Sequence, residues 1–197
     1  MTAGNHLPHR RLTNSHVHSP RAQPLFRLSL AASFPKSRFT GYDLSNEAIE
    51  FARRDAYRLG HRNVEFVVRD LSDFDETAAP AVFDLITSFD AIHDQANPMA
   101  VLRGIHRSLA EGGVYLAQDI KASSKHSGNL DHPLGPLLYT ISCMHCMTVS
   151  LAQGGDGLGA MWGREKALEY FNKAGFSDVR VCELTHDVQN YYYVCWP

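Results

Sequence analysis

The sequence predicts an α/β domain built on a doubly wound, mostly parallel sheet that is N-terminally incomplete and ends in an antiparallel strand. Three observations carry this. After Pro35, short runs rich in β-branched and aromatic residues alternate with amphipathic helical stretches, the pattern of strands joined by crossover helices. Several of these runs close on an aspartate. The last two runs are separated only by a short polar turn, which makes them antiparallel neighbours.

In order, residues 25–34 have helical composition and stop at Pro35, a helix end without a clear beginning. RFTGYD (38–43) reads as a strand. Ser45 then caps a helix from Asn46 to Leu59 that is closed by Gly60, a residue free to take the positive φ of a C′ position. VEFVVRD (64–70) and VFDLITSFD (82–90) are the next strands. Asn97-Pro98 places a capping amide before a proline suited to the first helical position, opening a helix that runs to about Leu109 and ends at Glu111-Gly112-Gly113. GVYLAQD (113–119) is a strand, and residues 120–162 form an insertion far longer than a connection needs, of the kind used for lids and pockets. A helix from Arg164 to Ala174 and strands over 178–184 and 190–196 complete the domain.

Composition narrows the function. A net charge of −2 gives no global field to recruit nucleic acid or an anionic membrane. Residues 1–38 carry six basic side chains and no acidic one, and residues 1–24 read as an irregular basic leader that is a poor strand and a poor helix. Its four histidines match no closed zinc site. Four cysteines without an apolar signal segment suggest reduced thiols in a cytoplasmic protein. The uncharged run 134–152 contains Pro136 and His145 and lacks anchors at its ends, so it reads as a helix buried in protein rather than a membrane span. Within it, Cys143-Met144-His145-Cys146 has CxxC spacing but no second ligand pair, and no metal site is expected.

Ligands of open parallel sheets bind beyond the carboxyl ends of the strands. There stand Asp43, Asp70, Asp90 and Asp119, with His93-Asp94 just after Asp90. Any one of them taken alone is also explained as a helix cap or turn residue.

The segments GYDLSNEAIEFARRDA, VEFVVRDLSDF and FDLITSFDAIHDQANPMAVLRGIHRSLAEGGVYLAQD resemble the central part of class I S-adenosylmethionine-dependent methyltransferases, a likeness that spans residues 25–197. The insertion resembles a bacterial subgroup that acts on small molecules. The resemblance implies a Rossmann-like methyltransferase sheet and S-adenosylmethionine as cofactor. It places the ribose hydroxyls at Asp43 with Leu44, the adenine at Asp70 with Leu71, and the methyl donor beside Phe89 and Asp90. His93 and Asp94 become candidates for catalysis, and His132, Tyr139, His145 and Trp162 for an acceptor pocket.

The sequence departs from that family in one respect. No D-x-G-x-G-x-G turn precedes residue 40, and the first strand, central in the family's sheet, has no evident counterpart. The expectation is a truncated domain whose sheet is split, with exposed edges that favour a homodimer. Methyl transfer to a small-molecule acceptor is the leading function, with no nucleic-acid or membrane partner. A catalytically inactive remnant acting by binding alone is the alternative.

Overall fold

A computed structural model describes residues 11–15 and 29–197. Seven strands form one sheet: β1 (Arg11–Ser15), β2 (Arg38–Asp43), β3 (Val64–Val68), β4 (Phe83–Phe89), β5 (Leu109–Ile120), β6 (Asp178–Leu184) and β7 (Asp187–Trp196), in the order β3-β2-β1-β4-β5-β7-β6. The first five pair in parallel, and β7 runs antiparallel to both β5 and β6.

One expectation is overturned. The segment RLTNS, inside the stretch expected to be irregular, is the central strand, paired from Arg11 to Ser15 with β2 and from Leu12 to Asn14 with β4. The sheet is continuous and lacks the two internal edges that argued for a homodimer. A five-residue strand paired on both sides is held by backbone hydrogen bonds that any non-proline residue supplies, so it needs no alternating pattern in its sequence. The position of a glycine-rich turn after this strand falls outside the described residues.

Residues 29–33 are helical, and the helices that follow are α1 (Asn46–Arg58), α2 (Phe74–Thr77), α3 (Pro98–Ser108), α4 (Gly135–Ile141), α5 (Met147–Ala152) and α6 (Gly163–Ala174). The caps read from the sequence are formed: Ser45 Oγ accepts from Ala48 N, and Asn97 Oδ1 accepts from Ala100 N. Helix α3 stops at Ser108, one residue earlier than expected, because β5 already begins at Leu109 and bulges opposite β4 before regular pairing resumes at Val114.

α1 buries Ile49, Ala52 and Ala56 with Phe66 of β3. The larger core unites α3 and α6 with β4, β5 and β7. At its centre the rings of Tyr115, Phe171, Phe176 and Tyr193 pack at centroid distances of 5.2–6.3 Å. Truncating one such ring to alanine costs about 3–5 kcal/mol, so this cluster anchors α6 against β5 and β7.

The uncharged run is helical from Gly135 to Ala152, with a π turn over Ser142–Cys146 joining α4 to α5. It is not buried all round, as had been expected. Leu138, Ser142, Cys146 and Ser150 face inward, while Leu137, Ile141, Met144 and Leu151 are exposed. The wider π turn takes up an extra residue and keeps Cys146 and Ser150 on the buried stripe. Among the described residues no helix is long and apolar enough to cross a membrane.

Candidate functional site

The carboxyl ends of β2 and β3 form one side of a cleft, as strand polarity in a doubly wound sheet requires. Asp43 closes β2 and is buried, and its Oδ1 accepts a hydrogen bond from Ser45 N at 2.8 Å. That bond fixes the carboxylate against the start of α1. Asp70 repeats the arrangement beyond β3 with Ser72 N at 2.8 Å, but stays exposed. Leu44 is exposed and Leu71 buried. These four line one cleft together with Asp94 and Gln95, which come from the far side of the sheet's switch point. Phe89 and Asp90 do not line it.

Asp90 instead bonds to the neighbouring strand. It takes a positive φ of 46°, which aspartate tolerates, and its Oδ1 accepts from Gln118 Nε2 at 3.0 Å. Burial first, and then the neighbouring Asp119 charge, push its carboxyl up to about 6, against the lowering effect of the Gln118 bond.

Beyond Asp90 lies a buried polar cluster. His93 is 2% exposed and Asp94 5%. The ring is held between two carboxylates: Nδ1 lies 2.7 Å from Asp119 Oδ1, and Nε2 lies 3.3 Å from Asp94 Oδ1. Neighbours in sequence commonly diverge, yet here both side chains turn to the same interior. Burial alone would lower the proton affinity of His93. The charge and bond of Asp119, the Cys146 thiol and the Asp94 charge outweigh it and hold the ring well above its usual range.

The insertion is clamped to this loop. Ser150 Oγ donates to Gln95 O at 2.8 Å and accepts from Gly157 N at 3.1 Å, Asp156 N donates to Ala96 O at 3.2 Å, and Gly159 N donates to His93 O at 3.3 Å. The same stripe that carries Ser150 carries Cys146, which is how a residue 53 positions after His93 reaches it.

The four residues expected to line an acceptor pocket are dispersed. His132 spans the base of the insertion, its Nε2 2.9 Å from Lys121 O and its Nδ1 accepting from Leu134 N at 3.2 Å, which places the proton on Nε2. Tyr139 OH accepts from Asn129 Nδ2 at 2.9 Å. Trp162 is buried in the core, edge-on to Tyr170 and Phe171. His145 lies on the exposed face of the insertion's helix. None of the four lies in the cleft of Asp43 and Asp94.

Sequence reasoning left Asp119 and Cys146 out of the site. Asp119 was visible as a strand-closing acid. Cys146 was visible as part of a stripe of small or polar residues at four-residue spacing, but nothing in the sequence says which loop that stripe faces.

A family model described as a methyltransferase domain matches residues 25–175, and the chain belongs to that family. No curated protein matches the sequence. Among solved structures the chain is similar to PigF with SAH (TM-score 0.68, 19% identity, covering 95% of this chain and 50% of that one). An O-methyltransferase family protein from Burkholderia thailandensis gives TM-score 0.69 at 15% identity, covering 94% and 50%. A SAM-dependent methyltransferase from Aquifex aeolicus gives 0.65 at 14%, covering 94% and 81%. At these identities the likeness shows the fold. The chain spans about half the length of the first two.

Proposed function

We propose that the chain binds S-adenosylmethionine in the cleft at the ends of β2 and β3 and transfers its methyl group to a small-molecule acceptor. The observation that carries this is a coincidence of two independent lines: the positions that the sequence resemblance assigns to the nucleoside, Asp43, Leu44, Asp70 and Leu71, line one cleft with Asp94. Membership of the methyltransferase family and the SAH bound to PigF support it.

The residues present suit the cofactor. A ribose diol presents two hydroxyl donors, and the Asp43 carboxylate, already oriented by Ser45 N, accepts such bonds at roughly 1.5–3 kcal/mol each because it is charged. Asp70 and Leu71 present one polar and one apolar surface, as an adenine edge and face require. When bound, the cofactor supplies a methyl group activated on a sulfonium.

The chain's own contribution is placement and exclusion of water. Asp94 and His93 stand where the cleft meets the buried cluster, and we assign them to the acceptor side. Asp90, four residues before Asp94, is held by Gln118 of the neighbouring strand. Holding two reactants in near-attack geometry can supply roughly 7–11 kcal/mol of a barrier, so transfer of this kind does not depend on a strong base. The four cysteines are unpaired, which fits a reducing compartment such as the cytoplasm.

The test is turnover. The chain is incubated with methyl-labelled S-adenosylmethionine and a panel of small hydroxyl and amine acceptors, and S-adenosylhomocysteine is measured. Acceptor-dependent release that is lost in Asp43→Ala supports the reading. Cofactor binding without release for any acceptor favours the inactive alternative, and a cooperatively folded chain that binds no cofactor refutes both the site and the reaction.

A further inference from the structure

We propose that His93, Asp94 and Cys146 form a binding site for a borderline divalent cation of the zinc class. This goes beyond the methyl-transfer reading and stands on different atoms from those that hold the nucleoside.

The three side chains are buried, and a ring nitrogen, a carboxylate oxygen and a thiol sulfur from them lie within 4.8 Å of one another. The separation of His93 Nε2 from Asp94 Oδ1, 3.3 Å, is already that of two ligands on one tetrahedral ion: bonds of roughly 2.0–2.1 Å at the tetrahedral angle give an edge of about 3.3 Å. An edge to sulfur is about 3.6 Å, so the thiol must close in by about 1.2 Å at most.

A second observation points to a ligand independently. Asp94 Oδ1 is buried and accepts no hydrogen bond among the described residues, although it belongs to a side chain 5% exposed. Buried carboxylate oxygens in native proteins are paired, because an unpaired one forfeits its hydration without return. The nearest cationic group to Asp94 Oδ1 is the His93 ring, whose Nε2 stands 3.3 Å away without the alignment of a hydrogen bond, and a cation between Asp94, His93 and Cys146 would replace that long contact with a direct bond.

The surroundings have the form that metal-binding histidines require. Asp119 Oδ1 takes His93 Nδ1–H at 2.7 Å, which orients Nε2 toward Asp94 and raises its basicity, and a bound cation would take the place of the Nε2 proton. The loop carrying His93 and Asp94 is tied through Gln95, Ala96 and His93 carbonyls to the insertion, so the ligands are held before any ion arrives. One imidazole, one carboxylate and one thiolate carry two negative charges and a soft donor, a set that selects zinc or cobalt over magnesium or calcium. Three protein ligands leave a fourth position open. Cys143 is exposed and takes no part, so the CxxC spacing is incidental to the site.

The experiment uses the full chain, stripped with a chelator and titrated with Co²⁺, with absorption recorded and folding checked by a thermal melt. One Co²⁺ per chain is expected, with the visible bands of four-coordinate cobalt and a near-ultraviolet thiolate charge-transfer band. Cys146→Ser should lose the charge-transfer band, and Cys143→Ser should keep it. Asp119→Asn should keep the bands while weakening affinity by about 10- to 100-fold, as loss of a partner that orients a ligand does. The proposal is overturned by a cooperatively melting chain that shows no saturable Co²⁺ binding, or by a charge-transfer band that persists in Cys146→Ser. If Cys146→Ser fails to fold, the unsubstituted chain and Asp119→Asn decide. Calorimetric titration with S-adenosylhomocysteine is run in parallel: metal binding without nucleoside binding contradicts the function proposed above and leaves this site standing, and the reverse result contradicts only this site.

Discussion

Replacing Asp43 by alanine tests the cofactor assignment at its strongest point. The carboxylate is buried, and Ser45 N–H holds one of its oxygens at 2.8 Å. Alanine removes what the proposal assigns to the ribose, a charge-assisted interaction worth roughly 1.5–3 kcal/mol, which is about a ten- to over a hundredfold rise in Kd at 1.36 kcal/mol per decade. It also removes the acceptor for Ser45 N, a bond of about 1 kcal/mol net, and a domain of this size should then melt about 2–4 °C lower. Asp43→Asn separates the two effects, because an amide oxygen still accepts from Ser45 N while the charge is gone. The assay is calorimetric titration with S-adenosylhomocysteine, alongside a thermal melt of each variant. The expected order of affinity is Asp, then Asn, then Ala, with Asn melting near the unsubstituted chain. An unchanged Kd in a folded Asp43→Ala protein would refute the assignment.

Three further outcomes follow from the structure. Gly163 opens α6 at φ +76°, and an added Cβ would stand 2.2 Å from Ser124 N, so Gly163→Ala must both strain the backbone and displace the chain at Ser123–Ser124; it should lower stability by at least about 1–3 kcal/mol, read from urea midpoints. Glu165 accepts from Ser124 N and Ser123 Oγ, and these backbone and side-chain bonds hold its carboxyl down at about 2. Its folded value lies below its ordinary 4.5, so its stabilisation is complete above pH 4.5 and is lost as pH falls from there toward 2; Glu165→Gln should flatten the stability profile in that window, and an unaltered acid limb in urea titrations at stepped pH contradicts this. Ser150→Ala breaks the bonds to Gln95 O and Gly157 N, leaves a part-buried carbonyl without that donor, and should cost about 1–3 kcal/mol while accelerating amide exchange over residues 153–159; unaltered exchange there would show that the clamp is held elsewhere.

Much of the architecture was legible because alternation and caps are local. The strands after Pro35 and the caps at Ser45 and Asn97 lie within a residue or two of their sequence positions, apart from the earlier starts of β5 and β7. β1 was not legible: RLTNS has no pattern of its own and becomes a strand because β2 and β4 offer it two ladders. That the acids closing β2 and β3 share one cleft was legible, since a residue that closes a parallel strand has only one edge of the sheet to face. Where the insertion's polar side chains turn was not. His132 and Tyr139 satisfy hydrogen bonds inside the insertion, Trp162 fills core, and His145 turns outward, because where each points depends on how the insertion docks rather than on local spacing. The pairing of Cys146 with His93 depends on a π turn and on where a helix docks, and neither is written in local spacing.

The most direct test of the central claim is hydrogen exchange of the full chain with and without saturating S-adenosylhomocysteine, resolved to short peptides. The account predicts slowed exchange at residues 43–45, 70–72 and 93–96, the backbone that borders the cleft. Saturable binding that protects other segments and leaves these three unchanged would contradict it.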